Sequence, residues 1–182
     1  MDSLPNIYTF VAYDTEQNLG RFYNSAMSLL ADDDWAVFID SDAMFVQDDW
    51  GHKIQRAIKQ NPDYGFFTCL TNRVGCEWQL ADDVDRDDHF IPYHVDEGEK
   101  ITDAGDAVED VTDYSLMSGV CMIIQKKVWD QIGGAKDGFY GVDNDLHKKS
   151  ADQGVKVGLI KNLYIYHLYK GGADFSTLTP HG

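Results

Sequence analysis

The sequence predicts an α/β domain built on a mainly parallel central sheet with helices on both faces, and three features of the chain carry that expectation. Short apolar runs alternate with segments whose apolar residues recur at helical spacing, the order of βαβ units. One run, Ala36-Val37-Phe38-Ile39, is continuous, as strands covered on both faces are. The length of 182 residues, 43% of them apolar and 25% charged, suits one globular domain with its own core.

Each element has its own justification. Ile7 to Tyr13 is β-branched and aromatic, bounded by Pro5 and Asp14-Thr15, and reads as a buried strand. Leu19, Phe22, Tyr23, Ala26, Met27 and Leu30 form one stripe, so 18–31 is expected as an amphipathic helix. Asp32-Asp33-Asp34 makes a solvated turn before the strand at 36–39. Trp50, Ile54, Ala57 and Ile58 mark a second helix stopped by Asn61-Pro62, and Tyr64 to Leu70 is a third strand. Residues 71–113 hold few periodic apolar positions and are expected as a long loop beside the functional edge of the sheet. Beyond it, Val120–Ile124 reads as a strand and Lys126–Ile132 as a short helix closed by Gly133-Gly134. A helix at 143–153, with Trp129 in the core before it, leads to two strands at Val155–Ile160 and Leu163–Leu168. The tail from Gly171 is glycine- and threonine-rich and expected to be loose.

Charge narrows the range of partners. Lys and Arg number 15 against 31 Asp and Glu, a net charge of −16, and Asp82 to Asp113 alone holds 13 acids and two bases. Such a surface repels phosphate backbones, so duplex nucleic acid is not expected as a partner. No apolar run is long enough to span a membrane, and Met1-Asp2-Ser3-Leu4-Pro5 lacks the basic start of a secretory signal. A cytoplasmic protein without a membrane span is therefore expected. Cys69, Cys76 and Cys121 are odd in number and lack CxxC spacing, which fits reduced thiols and not a zinc site. His52, His89, His94, His147 and His181 have no matching partners and are expected at the surface.

The chemistry begins at Val37-Phe38-Ile39-Asp40-Ser41-Asp42. An apolar strand leaves the sheet and delivers two carboxylates at its C-terminal end, where open α/β sheets bind ligands. Side chains two apart on an extended segment point the same way, so both carboxylates can converge on one hard cation. A divalent ion there could hold a diphosphate and neutralise charge on a leaving group.

The C-terminal half then reads Met117-Ser118-Gly119-Val120, Val128-Trp129-Asp130-Gln131-Ile132-Gly133-Gly134 and Tyr140-Gly141-Val142-Asp143-Asn144-Asp145-Leu146, with Tyr166-His167 last. This ordered set resembles the GT-A-type nucleotide-sugar glycosyltransferases, most closely glycosyltransferase family 2, over roughly residues 18–170. The resemblance implies a GT-A (Rossmann-like) fold and a hexosyltransferase that uses a nucleotide sugar, with UDP-sugar the expected donor. It implies Mn²⁺ or Mg²⁺ as cofactor, held by Asp40, Asp42 and His167. Asp143 would be the base that deprotonates the acceptor hydroxyl with inversion at the anomeric carbon. Donor contacts would come from Asp14, Arg21, Asp40, Ser41, Ser118 and Gly119, and acceptor contacts from Trp78 and Asp145. The acceptor is expected to be a saccharide, a small molecule or a protein, since the acidic stretch disfavours anionic polymers. Two departures stand out: one βα unit precedes the aspartate pair where members of the family show two, and Val142 replaces a common glutamate.

Two other readings compete. A retaining GT-A enzyme carries a block similar to Gly141–Asp145. A calcium-binding or protein-interaction module could use the acidic stretch, but an EF-hand frame starting at Asp83 puts Asp88 where glycine is needed and His94 where glutamate closes the loop.

Overall fold

The computed structural model describes residues 4–102 and 105–168; the predicted loose tail from Gly171 lies outside them. The elements run β1 (Ile7–Val11), α1 (Leu19–Met27), β2 (Trp35–Ile39), β3 (Ala43–Phe45), α2 (Trp50–Gln60), β4 (Tyr64–Thr71), a 3₁₀ turn (Glu77–Gln79), α3 (Ile91–Thr102), β5 (Val108–Asp110), β6 (Cys121–Gln125), α4 (Lys126–Gln131), α5 (Val142–Asp152) and β7 (Lys156–His167). They form a seven-stranded sheet in the order β1-β2-β6-β4-β7-β3, with β5 also paired to β7.

The expected α/β class holds, but the sheet is mixed and not mainly parallel. β1 with β2 and β4 with β7 are parallel; β6 runs antiparallel to both β2 and β4, and β3 and β5 antiparallel to β7. Sequence spacing identifies β2-α2-β4 as a parallel unit, and those strands do run the same way. They are not neighbours, because β6 arrives after the long 72–120 segment and inserts between them from the opposite end.

Period-2 alternation along the strands divides the core into two layers. Phe38, Phe66, Met122, Ile124 and Tyr164 pack toward Tyr23 and Met27 of α1, Val128 and Trp129 of α4, and Leu146 of α5. Val37, Phe67, Ile123, Ile160 and Ile165 pack toward Ile54, Ala57 and Ile58 of α2. Helices thus cover both faces, and all five residues of β2 are buried.

Three strand and loop expectations need correction. The first strand is short and exposed, with Tyr8 44% and Val11 52% accessible, because β1 is at the sheet's edge and, among the described residues, nothing pairs with its outer side. The two strands expected at 155–168 are one strand. The register against β4 slips between Ile160 and Tyr164, and a backbone bond from Lys161 N to the Ala107 carbonyl carries the chain across the irregularity.

The expected loop at 71–113 contains α3 and β5. Ile91, Tyr93, Val95 and Ile101 of α3 pack against the core, an apolar face sparse enough to be masked by the surrounding acids. His94, expected at the surface, is fully buried: its Nε2–H donates to the Asp88 carbonyl and its Nδ1 accepts from the Tyr164 hydroxyl at 2.8 Å. His147 is also buried, 3.0 Å from the Val111 carbonyl, and burial pushes its pKa down. All three cysteines are free and buried. Among the described residues no helix is long and apolar enough to cross a membrane.

Candidate functional site

β2, β4 and β7 run in one direction, so their C-terminal ends meet at one edge of the sheet. Antiparallel β6 begins at that same edge, which delivers Ser118 and Gly119 beside the end of β2. A cleft of about 880 Å³ opens there, lined among others by Tyr23, Asp40, Ser41, Asp42, Ser118, Gly119, Asp143 and His167. The mixed topology that departs from expectation is what brings the Ser118-Gly119 turn to the carboxylates.

Asp40 leaves β2 with its backbone N–H bonded to the Val120 carbonyl, and its own carbonyl accepts from Ala43 N in a tight turn. The turn projects Asp42, and β3 then pairs with β7 so that Ala43 lies opposite His167. His167 Nε2 is 3.2 Å from Asp42 Oδ1 and 3.7 Å from Asp40 Oδ2. The ring is oriented from behind. Its Nδ1 lies 2.8 Å from the Arg73 carbonyl, an acceptor only, so Nδ1–H donates there and Nε2 faces the two carboxylates with a proton or a cation between them.

Ligand atoms of Asp40, Asp42 and His167 all lie within 4.8 Å of one another. The two carboxylates are the donors that Mn²⁺ and Mg²⁺ prefer and the imidazole, oriented by an outer hydrogen bond, suits a transition metal, so the group could hold a divalent cation, Mn²⁺ more readily than Mg²⁺. Burial, with the nearby charges of Asp42 and Asp143, pushes Asp40 up to about 6 against the opposing pull of His167. The hydrogen bond from His167 holds Asp42 below the usual carboxylate range.

Asp143 sits in the first turn of α5, after Gly141 in the left-handed region at φ 65°. Its Oδ2 accepts the Gly119 N–H at 2.8 Å and its Oδ1 the Asn144 N–H at 2.9 Å. A Cβ at position 119 would lie 3.0 Å from the Asp143 Cβ, so a side chain there would press on Asp143 and shift it by a few tenths of an ångström. A carboxylate has about four acceptor positions, leaving Asp143 capacity to take a proton.

Three residues that sequence reasoning did not assign to the site support it. Buried Gln79 receives the Ser118 N–H at 2.6 Å and donates to the Ser118 carbonyl and the Thr68 hydroxyl, fixing the Ser118-Gly119 turn. Asn72 bonds both backbone groups of His167, imitating a strand partner. Tyr23, recognised only as part of a helix stripe, lines the cleft, and burial with the charges of Asp40 and Asp143 pushes its pKa up. The two amides lie in a segment whose charge hid its structure, and isolated polar residues there carry no periodic signal. Gln79→Leu is expected to cost about 1–3 kcal/mol through the unpaired Ser118 groups, measured as a lowered urea midpoint; an unchanged midpoint would show that the amide is dispensable.

Four predicted site residues lie elsewhere. Asp14 and Arg21 are committed to each other, with Arg21 Nη2 2.8 Å from both Asp14 carboxylate oxygens, and neither is in the cleft wall. That pairing holds the Asp14 carboxyl below its ordinary range. Trp78 donates its indole N–H to the Leu116 carbonyl and packs edge-on to Tyr114. Asp145, two residues from Asp143 on the helix, pairs with Lys149 at 2.9 Å and borders a neighbouring cavity with Lys136 and His147. Of the segment 71–113, Gly75 and Cys76 alone reach the cleft among the described residues, so most of its charge lies away from the site. Comparison with models of known families and with curated proteins finds no match to the chain.

Proposed function

We propose that the protein is a divalent-cation-dependent glycosyltransferase that moves a sugar from a nucleotide sugar, a UDP-sugar in the first instance, to an acceptor hydroxyl with inversion. One observation carries the reading: the Asp40–Asp42–His167 group, the Ser118-Gly119 turn and Asp143 share one cleft at the carboxyl ends of β2 and β7. In it a possible cation site lies beside a carboxylate that can accept a proton.

Asp40, Asp42 and His167 would hold the cation, which supplies positive charge for the departing diphosphate when bound. Ser41, Ser118 and Gly119 line the donor side, and the small residues at 118 and 119 let a sugar approach the backbone closely. Asp143 accepts the acceptor's hydroxyl proton while that oxygen bonds to the anomeric carbon from the face opposite the diphosphate. The anomeric carbon–oxygen bond to the diphosphate breaks, and its electron pair leaves with the nucleoside diphosphate. The Gly119 and Asn144 N–H groups keep Asp143 in place during the transfer. Calorimetry of UDP with and without Mn²⁺ tests donor recognition, and NMR of the product's anomeric configuration against the donor's tests the stereochemistry. Cation-independent binding, or retention in the product, would overturn the corresponding part of the reading.

A further inference from the structure

The same cleft has an apolar lip that the reaction scheme leaves unused. Phe139 is 44% and Tyr140 87% exposed, and both line the cleft that holds Asp143, three residues beyond Tyr140. Their rings meet edge to face at 5.1 Å and 84°, and half-exposed Leu116 adds a further apolar surface to the wall.

The segment that presents them is anchored. Gly138 N donates to the Asn18 side chain and accepts at its carbonyl from Gly20 N, while the Asn24 amide bonds both backbone groups of Ala135. α1 comes so close that a Cβ on Gly20 would lie 1.7 Å from the Lys136 carbonyl oxygen. An aromatic pair exposed to water on an anchored segment at the mouth of a polar cleft is the form of a binding platform, because large apolar side chains gain nothing from that position in the free protein. The cleft therefore combines an aromatic lip with the carboxylates of Asp40, Asp42 and Asp143. A complementary ligand has an apolar face on one side, hydroxyl groups on its edge and no negative charge.

We infer that Phe139 and Tyr140 are the acceptor platform, which takes a neutral pyranoside by its C–H face and turns a hydroxyl toward Asp143. The inference rests on the glycosyl-transfer reading and assigns the acceptor role to these two residues in place of Trp78 and Asp145.

Ligand-observed NMR on the full chain with Mg²⁺ and UDP tests it, using methyl glucoside, methyl galactoside, methyl glucuronate and benzyl alcohol as probes. Saturation transfer is expected at the ring C–H protons of the two neutral glycosides and not with the glucuronate. Tyr140→Ala weakens glycoside binding about 3- to 10-fold, Tyr140→Phe retains it, and UDP·Mg²⁺ affinity does not follow the change. Equal glycoside affinity in folded Tyr140→Ala, or glucuronate or benzyl alcohol binding as well as the glycosides, would overturn the platform. Failure of the parent reading shows separately, as loss of UDP·Mg²⁺ binding by wild-type protein; Tyr140-dependent glycoside binding that survives it supports the platform on its own.

Discussion

Asp42→Ala is expected to weaken Mn²⁺-dependent UDP binding by more than about 100-fold, since the loss of a direct ligand exceeds the 10- to 100-fold cost of losing an outer-shell partner. Asp42 is exposed and caps no helix, so circular dichroism and the unfolding midpoint should stay near wild type. Calorimetry with UDP at fixed Mn²⁺ reads the loss; wild-type affinity at saturating metal would remove Asp42 from the site. The same titration depends on pH. Asp40 rises to about 6 in the folded chain, so the fold binds this proton more tightly than the unfolded chain does. The resulting stability is full below the ordinary carboxylate pKa and lost as pH rises through about 6. Cation binding needs the deprotonated form, so Mn²⁺ affinity should be higher at pH 7 than at pH 5.

Asp143→Asn is expected to lower the transfer rate by about 10²- to 10⁴-fold, the usual worth of a positioned base, with UDP·Mn²⁺ affinity retained. The substitution also touches structure. An amide offers one acceptor oxygen where the carboxylate serves both Gly119 N and Asn144 N, so a stability loss of about 1–3 kcal/mol should accompany it. The two effects separate in one sample set, through product formation with saturating donor and through urea denaturation. Near-wild-type transfer by folded Asp143→Asn would exclude Asp143 as the base.

The parts of this arrangement legible in the sequence are those with a local signature. The continuous apolar run of β2 announces a strand buried on both faces, and that identifies its carboxyl end and hence the placement of Asp40 and Asp42. Asp143 is singled out by the resemblance of the Gly141–Asp145 block and not by a local signature, and it stands in the first turn of α5. Strand direction has no such signature. β6 reads as the same apolar run whichever way it enters, so its antiparallel insertion between β2 and β4 could not be seen.

Side-chain commitments were also invisible. Asp14 and Arg21 are seven residues apart, and nothing in that spacing says that each will satisfy the other and not a ligand. Asn72 and Gln79 act through single amide groups on backbone far away in sequence. β1 looks buried by composition, and it is exposed because, among the described residues, no strand lies beyond it, a property of the sheet and not of those residues.

The 12-residue strand β7 has a consequence for how the chain comes to be folded. It pairs with β3, β4 and β5 and ends in His167, so three strands and the imidazole depend on it. The contacts that hold β7 in place span long stretches of sequence: 125 residues from Asp42 to His167, 117 from Gln47 to Tyr164, 95 from Asn72 to His167. Loop closure must precede the reward of such contacts, which makes their formation slow and late. During vectorial synthesis β1, α1, β2 and β4 emerge long before the strand that completes them, and the apolar faces of β4 wait uncovered. The nascent chain therefore passes through a stage with much of its sheet made and no site, and His167 is the residue whose arrival ends it.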